Sequence, residues 1–298
     1  MTVVRVLSPG LSTLQDGGRH GYAKFGVPSS GAFDAESYAL LSNLFAAPGV
    51  ACVEVLDGEF RIRPEGGDVE VAVIRGDASF ANEKGILPEG VVCWLHDGQE
   101  VLIRKNGAGP VYVGIFGLVV EPVLESSSFD TLSRLGPPPL CSGQALMVEN
   151  KTSGRVGAFL APNKEGGSSR VFRVTPSPHF DEAITETQWS VVAVSRSGIR
   201  ITPHTEVDIR GGGSLSSIPV HPGCIQVPYS DEAIILGPDS GVTGGYAVAA
   251  TVISADLAKM SRLAEGENVS FVLVDVEEAL RAWSALQHRL STGVVALH

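Results

Sequence analysis

The sequence predicts a mainly β chain of two similar domains with only a few short helices, and three observations predict it. Glycine (35) and proline (18) punctuate short runs rich in Val, Ile and Leu, the rhythm of strands joined by turns. Apolar residues make up 44% of the chain and charged residues 18%, enough to build packed cores. Part of the first half echoes in the second: 90–103 aligns without gaps on 223–236, each reading as glycine, strand, polar turn, strand. A length of 298 residues suits two domains better than one small core.

In chain order, strands are expected at 3–7, 69–74, 91–95, 101–103, 111–116, 190–194, 225–227, 234–236 and 269–274. Asp34 caps a helix running to Ala46, with Tyr38, Leu41, Leu44 and Phe45 on one face and Pro48 just past its end. Two helical turns fit between Asp256 and Leu263. Asp275 caps the longest helix, 276–290, where Glu277 and Glu278 suit the positive end. Ala279, Leu280, Trp283, Leu286 and Leu290 form its apolar stripe. A second echo relates 4–9 to 172–177. The two echoes lie closer together in the second half, so the first copy carries extra chain, the 34–46 helix included. The boundary is expected in the polar stretch 162–169, dividing residues 1–165 from 166–298.

Several function classes are excluded. A formal charge of −11 repels nucleic-acid backbones, and no basic run offsets it. The longest apolar run, 111–120, is about half of what a bilayer needs. The N-terminus has no basic stretch followed by a long apolar one, so no membrane association is expected and the cytoplasm is the expected location. Cys52, Cys93, Cys141 and Cys224 are far apart and form no C-x-x-C, which reads as small buried thiols. The seven histidines are scattered, so no metal is expected. No P-loop and no G-x-S-x-G occurs.

The opening segment runs Ser8-Pro-Gly-Leu-Ser-Thr-Leu-Gln-Asp-Gly-Gly-Arg19-His-Gly21 and continues through Gly26-Val-Pro-Ser-Ser-Gly-Ala-Phe-Asp34. Val53-Glu-Val-Leu-Asp-Gly58, Gly223-Cys-Ile-Gln-Val-Pro228 and Asp239-Ser-Gly-Val-Thr-Gly-Gly-Tyr246 follow in order. These blocks resemble the biotin-dependent carboxyltransferase family, also called allophanate hydrolase subunit 2, which includes the C-type subunit of 5-oxoprolinase and the carboxyltransferase part of urea carboxylase. The resemblance implies two cyclophilin-like β-barrel subdomains and a partner chain of the subunit 1 or B type. Departures are Ser240 and Gly241 for the usual Arg-Gln, Ala247 for the usual Pro, and Ser197 and Ile199 in the block after Ser195.

The candidate binding residues are polar positions within these blocks; no catalytic residue stands out. Gln15, Asp16 and Arg19 join an amide, a carboxylate and a guanidinium, able to hold a small molecule or to brace a turn. Arg196 and Arg200, four apart on one apparent strand, would share a face and could grip an anion or lie on a solvated edge. Gln226 alternates with Ile225 and Val227 and so points away from them. Thr243, Gly244, Gly245 and Tyr246 could offer an N–H nest, or a glycine turn between strands.

The resemblance implies a subunit of an ATP-dependent 5-oxoprolinase, which opens a small lactam to glutamate. ATP would act at the level of the complex, and a third, lactam-binding subunit is a possible partner. A carboxyltransferase-related subunit acting on a urea-type amide is one alternative; a partner-sequestering regulator of the type that antagonises a sporulation-kinase inhibitor is another. No biotin is expected on this chain, because Ala258-Lys-Met260 lacks the preceding methionine and lies in a helix.

Overall fold

A computed structural model describes residues 2–81, 85–161, 170–177, 179–205, 215–229 and 231–296. The stretch 162–169, where the sequence places the domain boundary, lies outside the described residues. The first half forms two sheets. One has six strands in the order Ala145–Val148, Thr2–Ser8, Phe60–Glu65, Val101–Lys105, Gly76–Phe80 and Ile86–Leu87. The other has five, Leu11–Gln15, Cys52–Asp57, Val111–Ile115, Val69–Ile74 and Cys93–Leu95. Their inner faces close on one core that includes Val4, Val6, Phe60, Ile62, Val113 and Ile115.

The second half is a closed barrel of seven strands. Val171–Pro176 pairs parallel with Asn268–Leu273, and the other neighbours are antiparallel. Trp189, Phe172, Phe271, Ile225, Ile235 and Ile199 fill the interior. Phe33, from the first half, packs into this same cluster and pins the two halves together.

The mainly β expectation holds, and so do the caps. Asp34 accepts from Ser37 N at the start of α1 (Ala35–Leu44). The short helices α2 (Ala183–Glu186) and α3 (Leu257–Met260) follow, and Asp275 accepts from Glu278 N to start α4 (Val276–Thr292).

Four expectations are corrected. Segment 223–236 is a hairpin of Cys224–Tyr229 and Glu232–Leu236, but its echo is not: Cys93–Leu95 and Val101–Lys105 lie in different sheets. Alternation is the same in both; the partner strands differ. Arg196 and Arg200 do not share a strand. Arg196 sits in the turn between Trp189–Ser195 and Gly198–Pro203, so only Arg200 lies on the barrel wall. The α4 stripe is not a core face: of its 17 residues only Leu290 is buried, while Leu280 and Trp283 are exposed. The thiols are all free, but only Cys52 and Cys224 are buried; Cys93 is half-buried and Cys141 exposed. No helix among the described residues is long and apolar enough to cross a membrane.

Candidate functional site

The junction of the two halves is built around Arg196, 3% exposed. Its Nη1 donates to Glu54 Oε1 at 2.6 Å, and its Nε and Nη2 meet Asp239 at 2.8 and 2.7 Å. Nη2 also donates to Gly31 O at 2.7 Å, Ser30 Oγ at 3.2 Å and Gln15 Oε1 at 3.4 Å. Glu54 Oε2 accepts from Tyr112 Oη at 2.6 Å and from Phe33 N at 2.8 Å. Asp239 accepts from Ser30 Oγ at 2.7 Å and from Thr131 N and Oγ1. Burial works against the Asp239 carboxylate, but the hydrogen bonds and charge of Arg196, with Thr131, outweigh it and hold its pKa below the usual range. Burial likewise opposes the Arg196 cation, and Glu54 and Asp239 more than compensate. Every polar arm of this network has a partner, so it fixes the halves against each other.

Asp16, next to Gln15, faces away from Arg196. It accepts from Gly18 N at 2.8 Å, Ser126 Oγ at 2.7 Å, Ser127 N at 2.6 Å and Ser128 Oγ at 2.6 Å. Arg19 is buried but pairs with no carboxylate among the described residues. Its Nη2 makes a short hydrogen bond to Ser128 O, its Nε reaches Val123 O at 3.4 Å, and Nη1 has no partner among the described residues. Asp16 and Arg19 thus hold the same 123–128 loop from two sides. That loop turns tightly, with Leu124 and Glu125 both in the left-handed region (φ 52° and 62°).

The remaining candidates lie elsewhere. Arg200 is exposed on the barrel wall and pairs with Glu232 at 2.6 Å. Gln226 lies in the same cross-strand row, opposite Ile234, which is itself opposite Arg200. It points away from the buried Ile225 and Val227, as alternation requires, and its Nε2 is buried without a partner among the described residues. That nitrogen abuts Gly244, where an added Cβ would sit 2.1 Å away. Thr243–Gly244 pairs in extended form with Ile218–Pro219, and Gly245 O accepts from Leu215 N. Thr243 and Gly244 are therefore part of a paired strand rather than of the concave run of N–H groups the glycines suggest. Tyr246 stands half-exposed beside it. The structure brings Gln15 and Arg196 together, sets Asp16 and Arg19 on the adjoining loop, and leaves Arg200, Gln226 and the 243–246 segment on the barrel's outer wall.

A cavity of about 240 Å³ opens where two motif segments of the first half meet the 236–238 turn of the second. Asp16, Gly17 and His20 form one side, Ser29, Ser30, Gly31 and Tyr38 another, and Gly237, Pro238 and Met260 of the second half close it. Arg196 and Thr131 line a second cavity, of about 670 Å³, that also lies between the halves. In the smaller cleft, His20 Nε2 lies 3.0 Å from Gly17 O. Burial pushes the Tyr38 phenol up to about 12, so it stays a neutral donor. A carboxylate, an imidazole, a neutral phenol and backbone amides suit the amide group of a small molecule.

Sequence reasoning missed His20, Tyr38, Glu54 and Asp239. A signal existed for Glu54: a carboxylate in the middle of the apolar strand Cys52–Asp57, whose first four residues are all buried, requires an internal partner.

The family described as carboxyltransferase domain, subdomain A and B, matches residues 25–273. Two curated relatives, each named as the C-type subunit of 5-oxoprolinase, are each 25% identical. The one from Escherichia coli (strain K12) aligns over 94% of this chain and 94% of its own length. The one from Haemophilus influenzae aligns over 91% and 90%. Among solved structures, TTHA0988 superposes with a TM-score of 0.82 at 27% identity, covering 91% of this chain and 56% of that one. The Kluyveromyces lactis urea carboxylase superposes with a TM-score of 0.83 at 20% identity, covering 99% of this chain and 30% of that one, a likeness of fold. The chain thus spans little more than half of the first of these solved chains and under a third of the second.

Proposed function

Because this chain belongs to the carboxyltransferase domain family built of subdomains A and B, we propose that it is one subunit of a multi-subunit complex of the 5-oxoprolinase type. The reaction proposed is 5-oxoproline, ATP and water giving glutamate, ADP and phosphate, with the lactam amide facing the junction cleft and the carboxylate of 5-oxoproline held by the lactam-binding partner. The observation that carries this reading is the meeting of the 16–20, 29–35 and 237–238 segments around one cavity between the halves.

ATP would activate the lactam by phosphorylating its carbonyl oxygen, since the lactam is a poor electrophile until then. A cleft of about 240 Å³ bordered by the Asp16 carboxylate does not suit a polyphosphate, so the nucleotide is assigned to another part of the complex. This chain's residues would exclude water and orient the amide: Tyr38 as a neutral donor, and His20 as a group able to pass a proton. Partners are a B-type subunit and a third, lactam-binding subunit.

A partner-sequestering role without chemistry is favoured by one observation: Ser240 and Gly241 stand where relatives in the resembled block carry Arg-Gln. Reconstitution separates the two. The chain, mixed with its B-type and lactam-binding partners, is expected to release glutamate from 5-oxoproline only when ATP is present. An assembled complex with no ATP-dependent release sinks the enzymatic reading.

A further inference from the structure

Cys224 opens the barrel strand Cys224–Tyr229. Ile225 and Val227 of that strand fill the interior, so alternation turns Cys224 to the outer face, where it packs with Val220, Leu236 and Val248. The chain enters the strand through His221-Pro222-Gly223-Cys224. Cys224 N donates to His221 O at 3.1 Å, and Gly223 takes φ 92°. Proline second, a left-handed glycine third and a closing hydrogen bond are the pattern of a type II turn. Such a turn sets its first and fourth residues side by side, which brings the His221 ring to the Cys224 sulfur. The imidazole hydrogen-bonds the thiol, and its Nδ1 lies 2.9 Å from Pro222 O. Thr251, directly opposite Cys224 on the next strand, holds Oγ1 3.9 Å from the sulfur, and Ser177 Oγ lies 2.9 Å from that hydroxyl.

Burial works against a Cys224 thiolate, but the imidazole, with Thr251, outweighs it and holds the thiol below its ordinary value. The hydrogen bond to Cys224 raises His221 to about 9, against the effect of burial. The other thiols lack this arrangement. Burial pushes Cys93 up, and burial with the nearby Glu54 pushes Cys52 well up. Cys141 is exposed, with its sulfur 3.7 Å from the neutral Gln144 amide. Cys224 keeps 4% of its surface exposed and His221 is itself exposed. The sulfur therefore lies just beneath the surface, within reach of a water-sized reagent and closed to a bulky one.

We propose that Cys224 and His221 form a nucleophilic pair through which hydrogen peroxide modifies this chain, converting Cys224 to a sulfenic acid. The thiolate sulfur attacks one peroxide oxygen, an S–O bond forms and the O–O bond breaks. The departing hydroxide takes a proton from the His221 imidazolium and leaves as water. Sulfur is oxidised by two electrons and the peroxide is reduced. This chemistry is independent of the reaction assigned to the junction cleft, although Pro222 and Leu236 also border that cleft.

The test treats the full chain with hydrogen peroxide at pH 7, traps sulfenic acid with dimedone and maps the adducts by mass spectrometry. Cys224 is expected to be trapped at least about tenfold faster than the exposed Cys141, because the thiolate is the reacting form. His221→Gln is expected to slow trapping at Cys224 about tenfold while leaving the circular dichroism spectrum unchanged. Faster trapping at Cys141 than at Cys224 in the native chain overturns the proposal. So does an absence of adduct at Cys224 in the native chain when the urea-unfolded chain forms one, or an unchanged rate at Cys224 in folded His221→Gln. The comparison of the two cysteines needs no variant and decides the matter if His221→Gln fails to fold.

Discussion

Arg196 Nη1 and Glu54 Oε1 lie 2.6 Å apart with both side chains almost wholly out of solvent, one from each half of the chain. Asp239 completes the arrangement from the second half at 2.7 Å. Such a buried ionic group adds little net stability relative to an apolar packing, but breaking it leaves charges without partners. Its value here is orientation: it sets how the motif segments of the first half face Gly237 and Pro238.

Arg196→Met is expected to destabilise the fold by about 3–5 kcal/mol, because Glu54 and Asp239 would be left buried and unpaired. Urea unfolding monitored by fluorescence measures it. A loss below about 1 kcal/mol would show that the network does not hold the halves together.

His20→Ala and Asp16→Asn are expected to separate chemistry from structure. His20 is exposed in the cleft, so its loss should leave stability within about 0.5 kcal/mol. It should lower kcat/KM of the reconstituted complex by about a hundredfold if it passes a proton. Asp16→Asn removes the carboxylate that receives four donors from Gly18 and the 126–128 loop. It should cost about 2–3 kcal/mol of stability. Equal effects of the two variants on melting temperature would contradict this division.

Arg19→Ala is expected to act on the fold rather than on substrate affinity. The change empties a buried site and strips donors from Ser128 O and Val123 O, at a cost on the order of 3 kcal/mol. Gly136→Ala should reach the same contact from the other side. Its φ is 96°, and an added Cβ would lie 2.1 Å from Ser128 O. Melting temperatures well below wild type are expected for both; a stable but inactive Arg19→Ala would instead place the guanidinium on the ligand.

Stability is expected to fall at both ends of the pH range. Asp239 and Asp256 titrate below their usual range in the folded state, so the stability they contribute is present above about pH 4 and lost as pH falls through their lowered values. Tyr38 titrates at about 12, so its contribution is full below about pH 10 and lost as pH rises toward that value. Asp239→Asn should flatten the acid limb of a stability–pH curve. An unchanged acid limb would assign it to other carboxylates.

Much of the local structure was legible. Alternating apolar runs marked the strands, Asp34 and Asp275 marked helix starts, and the glycine blocks marked the two first-half segments that border the cleft. These follow from short-range rules: side-chain period, capping and turn geometry act within a few residues.

What the sequence determined by itself was the mainly β character, the helix caps and the family. The tertiary structure alone decided which strand lies beside which, and therefore which polar residues meet. Period-two alternation tells which side chains share a face, but carries no information about the neighbouring strand. Hence Cys93–Leu95 and Val101–Lys105 entered separate sheets although their echo formed a hairpin. Arg196, 142 residues from Glu54, found its partner only when the barrel docked on the sheets. Arg200, four positions on, was carried to the surface by the turn between them. A buried charge must be paired, so Glu54 announced the need for a cation; only the docking of the two halves determined that the cation would be Arg196.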